Sequence, residues 1–271
     1  MSEVEQKANK AQDSKALTIT ARAGYVAYGL VYLLIGWLAL RLAWGNGGGG
    51  SADATGALHT LAAQPLGKAL LVVVAVGLLG LAVWQAVEAA IGCRQYADTK
   101  RTRKRLAAAG KAIAFAAIGV SALKIVVGSG SSSTRSEQKA ASGVLALPGG
   151  QVLVVIAAVV VVVIGVVQIV RGVKASFEED LDTASMPAHT KTVIRRLGQT
   201  GFIAKGVAFT VVGVLLGYAA VTADPKKANG LDGALQTILG QPFGRYLLAV
   251  VAIGLVAAGV FAFAQARYQK L

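Results

Sequence analysis

Six long apolar runs constrain this chain more than any other feature, at approximately 23–44, 66–91, 107–127, 151–173, 201–221 and 244–265. Each is long enough to cross a bilayer, whose hydrocarbon takes about 20 apolar residues of helix. In lipid a backbone must satisfy its own N–H and C=O groups. The runs show no barrel-strand alternation, so helix is the available solution. The fourth run is Val-rich, which in water would favour a strand, but β-branching does not prevent a helix where the backbone has no other partner. The expected fold is an all-α membrane protein with six transmembrane helices. A mean hydropathy of +0.61 and 55% hydrophobic residues leave too little polar surface for a soluble chain of this length. The 33 glycines suit helices that pack closely in a membrane.

The formal net charge is +14. In a soluble chain that excess would point to nucleic acid. Here it is confined to short segments between apolar runs, so no nucleic-acid partner is expected, and a bilayer with anionic headgroups is. Lys and Arg number seventeen in the N-terminal tail to Arg22, segment 93–106, segment 171–200 and the C-terminal end. The alternate loops, 45–64, 128–150 and 222–243, hold four: Arg135, Lys139, Lys226 and Lys227. By the positive-inside rule both termini are expected in the cytoplasm. Residues 1–20 lack an apolar core, so no cleavable signal peptide is expected. Cys93 is the single cysteine, which excludes an intrachain disulfide.

The chain also repeats itself. Residues 22–88 align with 199–265 without a gap: Gly24, Gly29 and Gly36 match Gly201, Gly206 and Gly213. Gly56-Ala57-Leu58 matches Gly233-Ala234-Leu235, Gln64-Pro65 matches Gln241-Pro242, and Gly67 matches Gly244. A weaker middle copy carries Arg105 for Arg22, Phe115 for Tyr32, Gly119 for Gly36, Lys124 for Arg41, Pro148 for Pro65 and Gln168 for Gln85. Its loop has diverged into the Gly/Ser stretch 128–133. The expected organisation is a cytosolic tail (1–21), three repeats (22–92, 105–175 and 199–268) and a cytosolic linker (176–198). Each repeat crosses the membrane twice, so all three point the same way. Three tandem helical hairpins related by a pseudo-threefold axis along the membrane normal follow from that.

The motif Gly24-Tyr25-Val26-Ala27-Tyr28-Gly29, then Gly56-Ala57-Leu58 and Gln64-Pro65-Leu66-Gly67, resembles the bacterial membrane family called domain of unknown function 1206. Gly233-Ala234-Leu235 with Gln241-Pro242-Phe243-Gly244 repeats the resemblance, and the middle copy lacks the Gly-Ala-Leu signature. The resemblance covers nearly all of residues 20–268 as three tandem domains. It implies a bacterial, actinobacterial source and a plasma-membrane location, and carries no activity to transfer.

Chemistry is sparse in this sequence. His59 and His189 are the two histidines and fall in loops expected on opposite faces of the membrane, so they cannot share a metal or clasp a haem. No cysteine pair exists for zinc or an iron–sulfur cluster, and Gly47-Gly48-Gly49-Gly50 lacks the strand, helix and Lys of a phosphate loop. No catalytic residue, metal or cofactor is expected. Ser176-Phe177-Glu178-Glu179 fits a capping box, and the acids Glu178, Glu179, Asp180 and Asp182 read as a solvated face. Tyr25, Tyr28 and Tyr32 share one helix face and read as core packing, while Trp44 and Trp84 suit an interfacial belt.

Two polar layers are the candidate sites. The outer one joins the repeat-equivalent Arg41, Lys124 and Tyr218. The inner one joins Tyr28, Lys111 and Lys205, also equivalent, with Glu88, Arg171 and Gln265, and with Gln85 and Gln168 one turn deeper. All lie within about two turns of a predicted span end, where long cations can snorkel to the headgroups. Glu88 is expected to be the one carboxylate inside the membrane boundary, paired with Lys111, or else with Lys205 or Arg171. Thr55 and Asp232 are expected to cap short helices at 56–63 and 233–239, with Pro65 and Pro242 opening the next spans and no such helix in the middle copy. The functional expectation is a non-enzymatic structural or accessory membrane component that packs against lipid or another membrane protein. A small transporter or lipid-binding protein is the alternative, and would need polar groups lining mid-membrane.

Overall fold

The computed structural model describes residues 15–45, 51–91, 98–128, 133–147, 149–183 and 186–269. Cys93, the Gly47–Gly50 run, most of the N-terminal tail, Pro148 and most of the Gly/Ser stretch lie outside the described residues. Nine α-helices are described: α1 Lys15–Ala43, α2 Ala54–Ala62, α3 Gly67–Ile91, α4 Asp98–Val126, α5 Ser133–Leu145, α6 Gly150–Lys174, α7 Ala188–Val221, α8 Leu231–Leu239 and α9 Gly244–Tyr268. Six of them (α1, α3, α4, α6, α7 and α9) are long and apolar enough to cross a membrane. The chain is an all-α membrane protein of three tandem repeats, each made of two spans and a short helix between them.

The short helices follow the repeat frame closely. Helices α2 and α8 occupy equivalent residues, and α5 ends at the equivalent of Ala62 but starts one turn earlier. Leu58, Ala141 and Leu235, one from each repeat at the same position, are all buried. The divergent sequence of the middle loop therefore keeps the helix that was expected to be missing. Polar substitution removed the Gly-Ala-Leu signature but left a small apolar residue at the position that packs. Capping also differs from expectation. Asp53, not Thr55, caps α2, its Oδ1 accepting the N–H of Gly56 at 2.7 Å. Asp232 lies inside the first turn of α8, where a carboxylate suits the helix dipole. Pro65 and Pro242 stand in the turns before Gly67 and Gly244 rather than in the first turn of the spans.

By internal contacts the chain forms two compact units. One is Met1–Tyr28, Leu61–Gly130 and Ala262–Leu271; the other is Gly29–Thr60 and Ser131–Phe261. In the first, the N-terminal half of α1 crosses α3 through Gly24. A Cβ there would collide with the Gly77 carbonyl and the Leu81 side chain. In the second, Gly201 of α7 meets Ala258 of α9, and Gly254 meets Ala204. These are the same crossing, residue for residue, in the first and third repeats. The middle repeat carries Ala107 and Val160 at the positions of Gly24 and Gly77.

A second contact recurs in all three repeats. Gly119 of α4 sits against Ala75 and Leu79 of α3 in the first unit. In the second unit Gly36 of α1 sits against Ala252 and Val256 of α9, and Gly213 of α7 against Ala158 and Val162 of α6. The three glycines are repeat-equivalent, and so are the residues they meet. Small residues let backbones approach to van der Waals distance, the main attraction available between helices in lipid. Each first span thus leans on the second span of the preceding repeat, and the first repeat leans on the third.

Candidate functional site

The inner-layer residues divide between the two units. Lys205 is 6% exposed and is the one buried cation among the described residues. It lies seventeen residues into α7, because that helix begins at Ala188, well before the expected start of the span. It does not snorkel. Its Nζ lies 4.8 Å from the ring centroid of Phe202 and 5.1 Å from that of Tyr32, so aromatic faces replace part of its hydration. The guanidinium of Arg171 also approaches Phe202, at 5.3 Å.

The linker after α6 builds the rest of this cluster. Ala175 takes a left-handed conformation that ends α6, and residues Ser176–Asp180 follow as a 3-10 turn without a side-chain cap. The turn carries Phe177 back into the helices, where it is buried. Its ring stacks on Phe202 at 5.1 Å and meets Phe261 edge-on at 5.1 Å. Gly198 makes room, since a Cβ there would strike the Phe177 ring. The same turn aims Asp180 at Arg171, 2.8 Å away, and Glu178 at Arg195, 3.5 Å away. Two acids read as a solvated face are therefore half-buried ion-pair partners. Arg171 is held by Asp180.

Tyr28, Glu88 and Lys111 belong to the first unit. Tyr28 packs edge-on against Phe115 at 5.0 Å. Glu88 is half-buried and Lys111 exposed, and both make interactions. Tyr25 and Tyr32 are buried, as a core-packing stripe should be. Gln85 is buried in the same unit, and its Oε1 has no hydrogen-bond partner among the described residues. Gln168 and Gln265 are half-buried. Trp84 is buried in the core, contrary to its reading as an interfacial residue, whereas Trp44 is exposed.

Of the outer layer, Arg41 and Lys124 are exposed, and Tyr218 lies under Lys227, whose Nζ is 4.3 Å from its ring centroid. What gathers at this end is a different set. Asp53 is 4% exposed and is the one buried carboxylate among the described residues. Asp232 accepts the N–H of Ala52 at 2.7 Å and a hydrogen bond from Gln236 at 2.7 Å. It thereby ties the loop of the third repeat to that of the first. Gln138 of α5 donates to Lys226 O and Asn229 Oδ1, tying the middle loop to the third. Ala141, Ala219 and Ala228 close a small apolar core beneath them.

Sequence reasoning found Arg171 and Lys205 but missed Phe177, Phe202 and Phe261. The available signal was Phe202 three residues before Lys205, one helical turn away. Among the described residues no group of three His, Cys, Asp or Glu could hold a metal ion. The cluster offers cations on aromatic faces; the opposite end offers carboxylates satisfied by backbone N–H groups.

The family model described as Domain of Unknown Function (DUF1206) matches this sequence three times, at residues 23–92, 106–175 and 200–269. The uncharacterized protein YxxB of Bacillus subtilis (strain 168) is 34% identical over 251 residues, covering 92% of this chain and 90% of that protein. No solved structure matches.

Proposed function

Since the chain belongs to the family described as Domain of Unknown Function (DUF1206), we propose that it is a non-enzymatic structural or accessory component of the bacterial plasma membrane. It acts by packing against lipid or another membrane protein, with both termini in the cytoplasm and its repeats in pseudo-threefold order. The observation that carries this reading is the middle repeat. Only 22% of the span in α4 and 17% of that in α6 is buried, against 56% in α9. Val152, Ile156, Val159 and Val163 of α6 are all exposed. Such a surface is stable only against acyl chains or an apolar partner helix. The three equivalent glycine contacts support the threefold order.

Affinity purification in mild detergent, with proteins and lipids identified, tests the role. Anionic lipid or a membrane protein should co-purify, and Val159→Asn with Val163→Asn should reduce its recovery. Substrate flux through the purified protein in liposomes, unaffected by those substitutions, would overturn the reading in favour of a transporter. Topology is tested separately in a variant lacking Cys93. An impermeant external thiol reagent should label Gly50→Cys, Ser132→Cys and Lys227→Cys but not Thr102→Cys; labelling of position 102 would overturn it.

A further inference from the structure

The turns that open the second spans carry an unexpected pair of side chains. The N–H of Gly67 donates to Gln64 O at 2.8 Å, that of Gly150 to Leu147 O at 2.9 Å, and that of Gly244 to Gln241 O at 2.7 Å. These are three equivalent four-residue turns. The third residue of each has positive φ: 63° at Leu66, 74° at Gly149 and 59° at Phe243. With ψ 6° at Gly149, this is the geometry of a type II turn, whose third position favours glycine. The middle repeat obeys that rule. The outer two repeats break it with large apolar residues, although their Cβ atoms crowd the backbone there.

Packing does not explain the choice, because Leu66 is 81% exposed and Phe243 80% exposed. Each is followed, two residues on, by an exposed cation, Lys68 and Arg245. The middle repeat has Gln151 at that position. The apolar residue and the cation therefore occur together or not at all. Both stand where an apolar span begins, at the boundary between acyl chains and headgroups if the helices cross a bilayer.

We propose that Leu66-Gly67-Lys68 and Phe243-Gly244-Arg245 are two copies of a lipid clamp on the outer leaflet. The left-handed turn holds the apolar side chain outward into the upper acyl region, and the cation meets the phosphate of an anionic phospholipid. A backbone that would favour glycine keeps Leu and Phe because the occupant is lipid. The glycine between them is required for a separate reason: a Cβ at Gly67 or Gly244 would collide with the Leu61 or Leu239 carbonyl. The proposal rests on the membrane reading above.

Single tryptophans test it, in protein whose three native tryptophans are changed to Phe and which is placed in nanodiscs of phosphatidylglycerol and phosphatidylcholine. Leu66→Trp and Phe243→Trp should be quenched by brominated phospholipid, more by bromines near the glycerol than by bromines near the chain end. Lys226→Trp, in an exposed loop, should be quenched weakly by either. A variant retaining only native Trp37, exposed within α1, is the control for the membrane reading. If Trp37 is unquenched, the membrane reading fails. If Trp37 is quenched while positions 66 and 243 behave like 226, the clamp alone fails. A second measurement leaves the turns intact. Lys68→Gln with Arg245→Gln should lower the phosphatidylglycerol retained on purification relative to phosphatidylcholine, and an unchanged ratio would remove the cation from the proposal.

Discussion

The first and third repeats are close copies of each other, and the middle repeat is not. The outer two share the Gly24–Gly77 type of crossing between their own spans, a nine-residue connecting helix and an apolar residue in the left-handed turn. The middle repeat has Ala107 and Val160 at the equivalent sequence positions, a thirteen-residue helix and Gly149 in the turn. What it keeps is Gly119, the counterpart of Gly36 and Gly213, against the equivalent pair Ala75 and Leu79. The difference teaches which contact the architecture depends on. The middle repeat does without glycine at the Gly24 and Gly77 positions, but the glycine of the joint to the neighbouring repeat is retained three times out of three.

The largest effect should come from filling the joint. Gly36→Leu and Gly213→Leu each push a side chain into neighbouring backbone, and Gly119→Leu drives one into the Leu79 side chain. Each should cost more than about 3 kcal/mol, the upper end of ordinary overpacking, and abolish recovery of folded protein in a detergent thermal-stability assay. The crossing should discriminate between repeats. Gly24→Leu and Gly201→Leu should be as damaging as the joint variants, whereas Ala107→Leu, at an exposed position, should shift stability by no more than about 0.5 kcal/mol. Equal damage at 24 and 107 would erase the distinction between outer and middle repeats.

The equivalent positions 28, 111 and 205 sharpen the comparison further. Lys205→Ala removes a buried stem and a cation lying on two rings, so it should cost about 2 kcal/mol or more. Lys111→Ala, exposed in the middle repeat, should cost about 0.5 kcal/mol or less. Both are read from melting curves in detergent. Smaller again is the cap: Asp53→Ala should cost about 1 kcal/mol through loss of the bond to the Gly56 N–H. Phe243→Gly should instead stabilise the detergent-solubilised protein by up to about 1 kcal/mol by relieving the left-handed turn. A loss of stability there would show that the ring packs on protein.

Much of this architecture is legible in the sequence because lipid simplifies the problem. A backbone in hydrocarbon has few options, so six apolar runs give six helices, and glycines repeating in one frame give three repeats. The side-chain clusters were harder to read. Lys205 and Arg171 stand out in an apolar context, but nothing local says that Phe177 will be turned back from a polar linker by a left-handed Ala175 to pack on Phe202. The linker acids looked solvated because their partners, Arg171 and Arg195, are brought to them by that same reversal. Asp53 was overlooked for Thr55 because the two are close enough for either to cap, and only geometry decides. Glu88 drew attention as the acid inside an apolar run. Asp53, buried in the first connecting loop, drew none, because a carboxylate that accepts a backbone N–H looks like any loop acid in the sequence.

The central claim is that three equivalent joints order the repeats around one axis along the membrane normal. An experimental structure in a lipid nanodisc tests it most directly, by superposing residues 22–88 on 199–265. The account predicts a rotation near about 120° about the membrane normal with little translation along it, as parallel repeats in a closed set of three require. An axis lying in the membrane plane, or a screw that displaces one repeat along the normal, would contradict it.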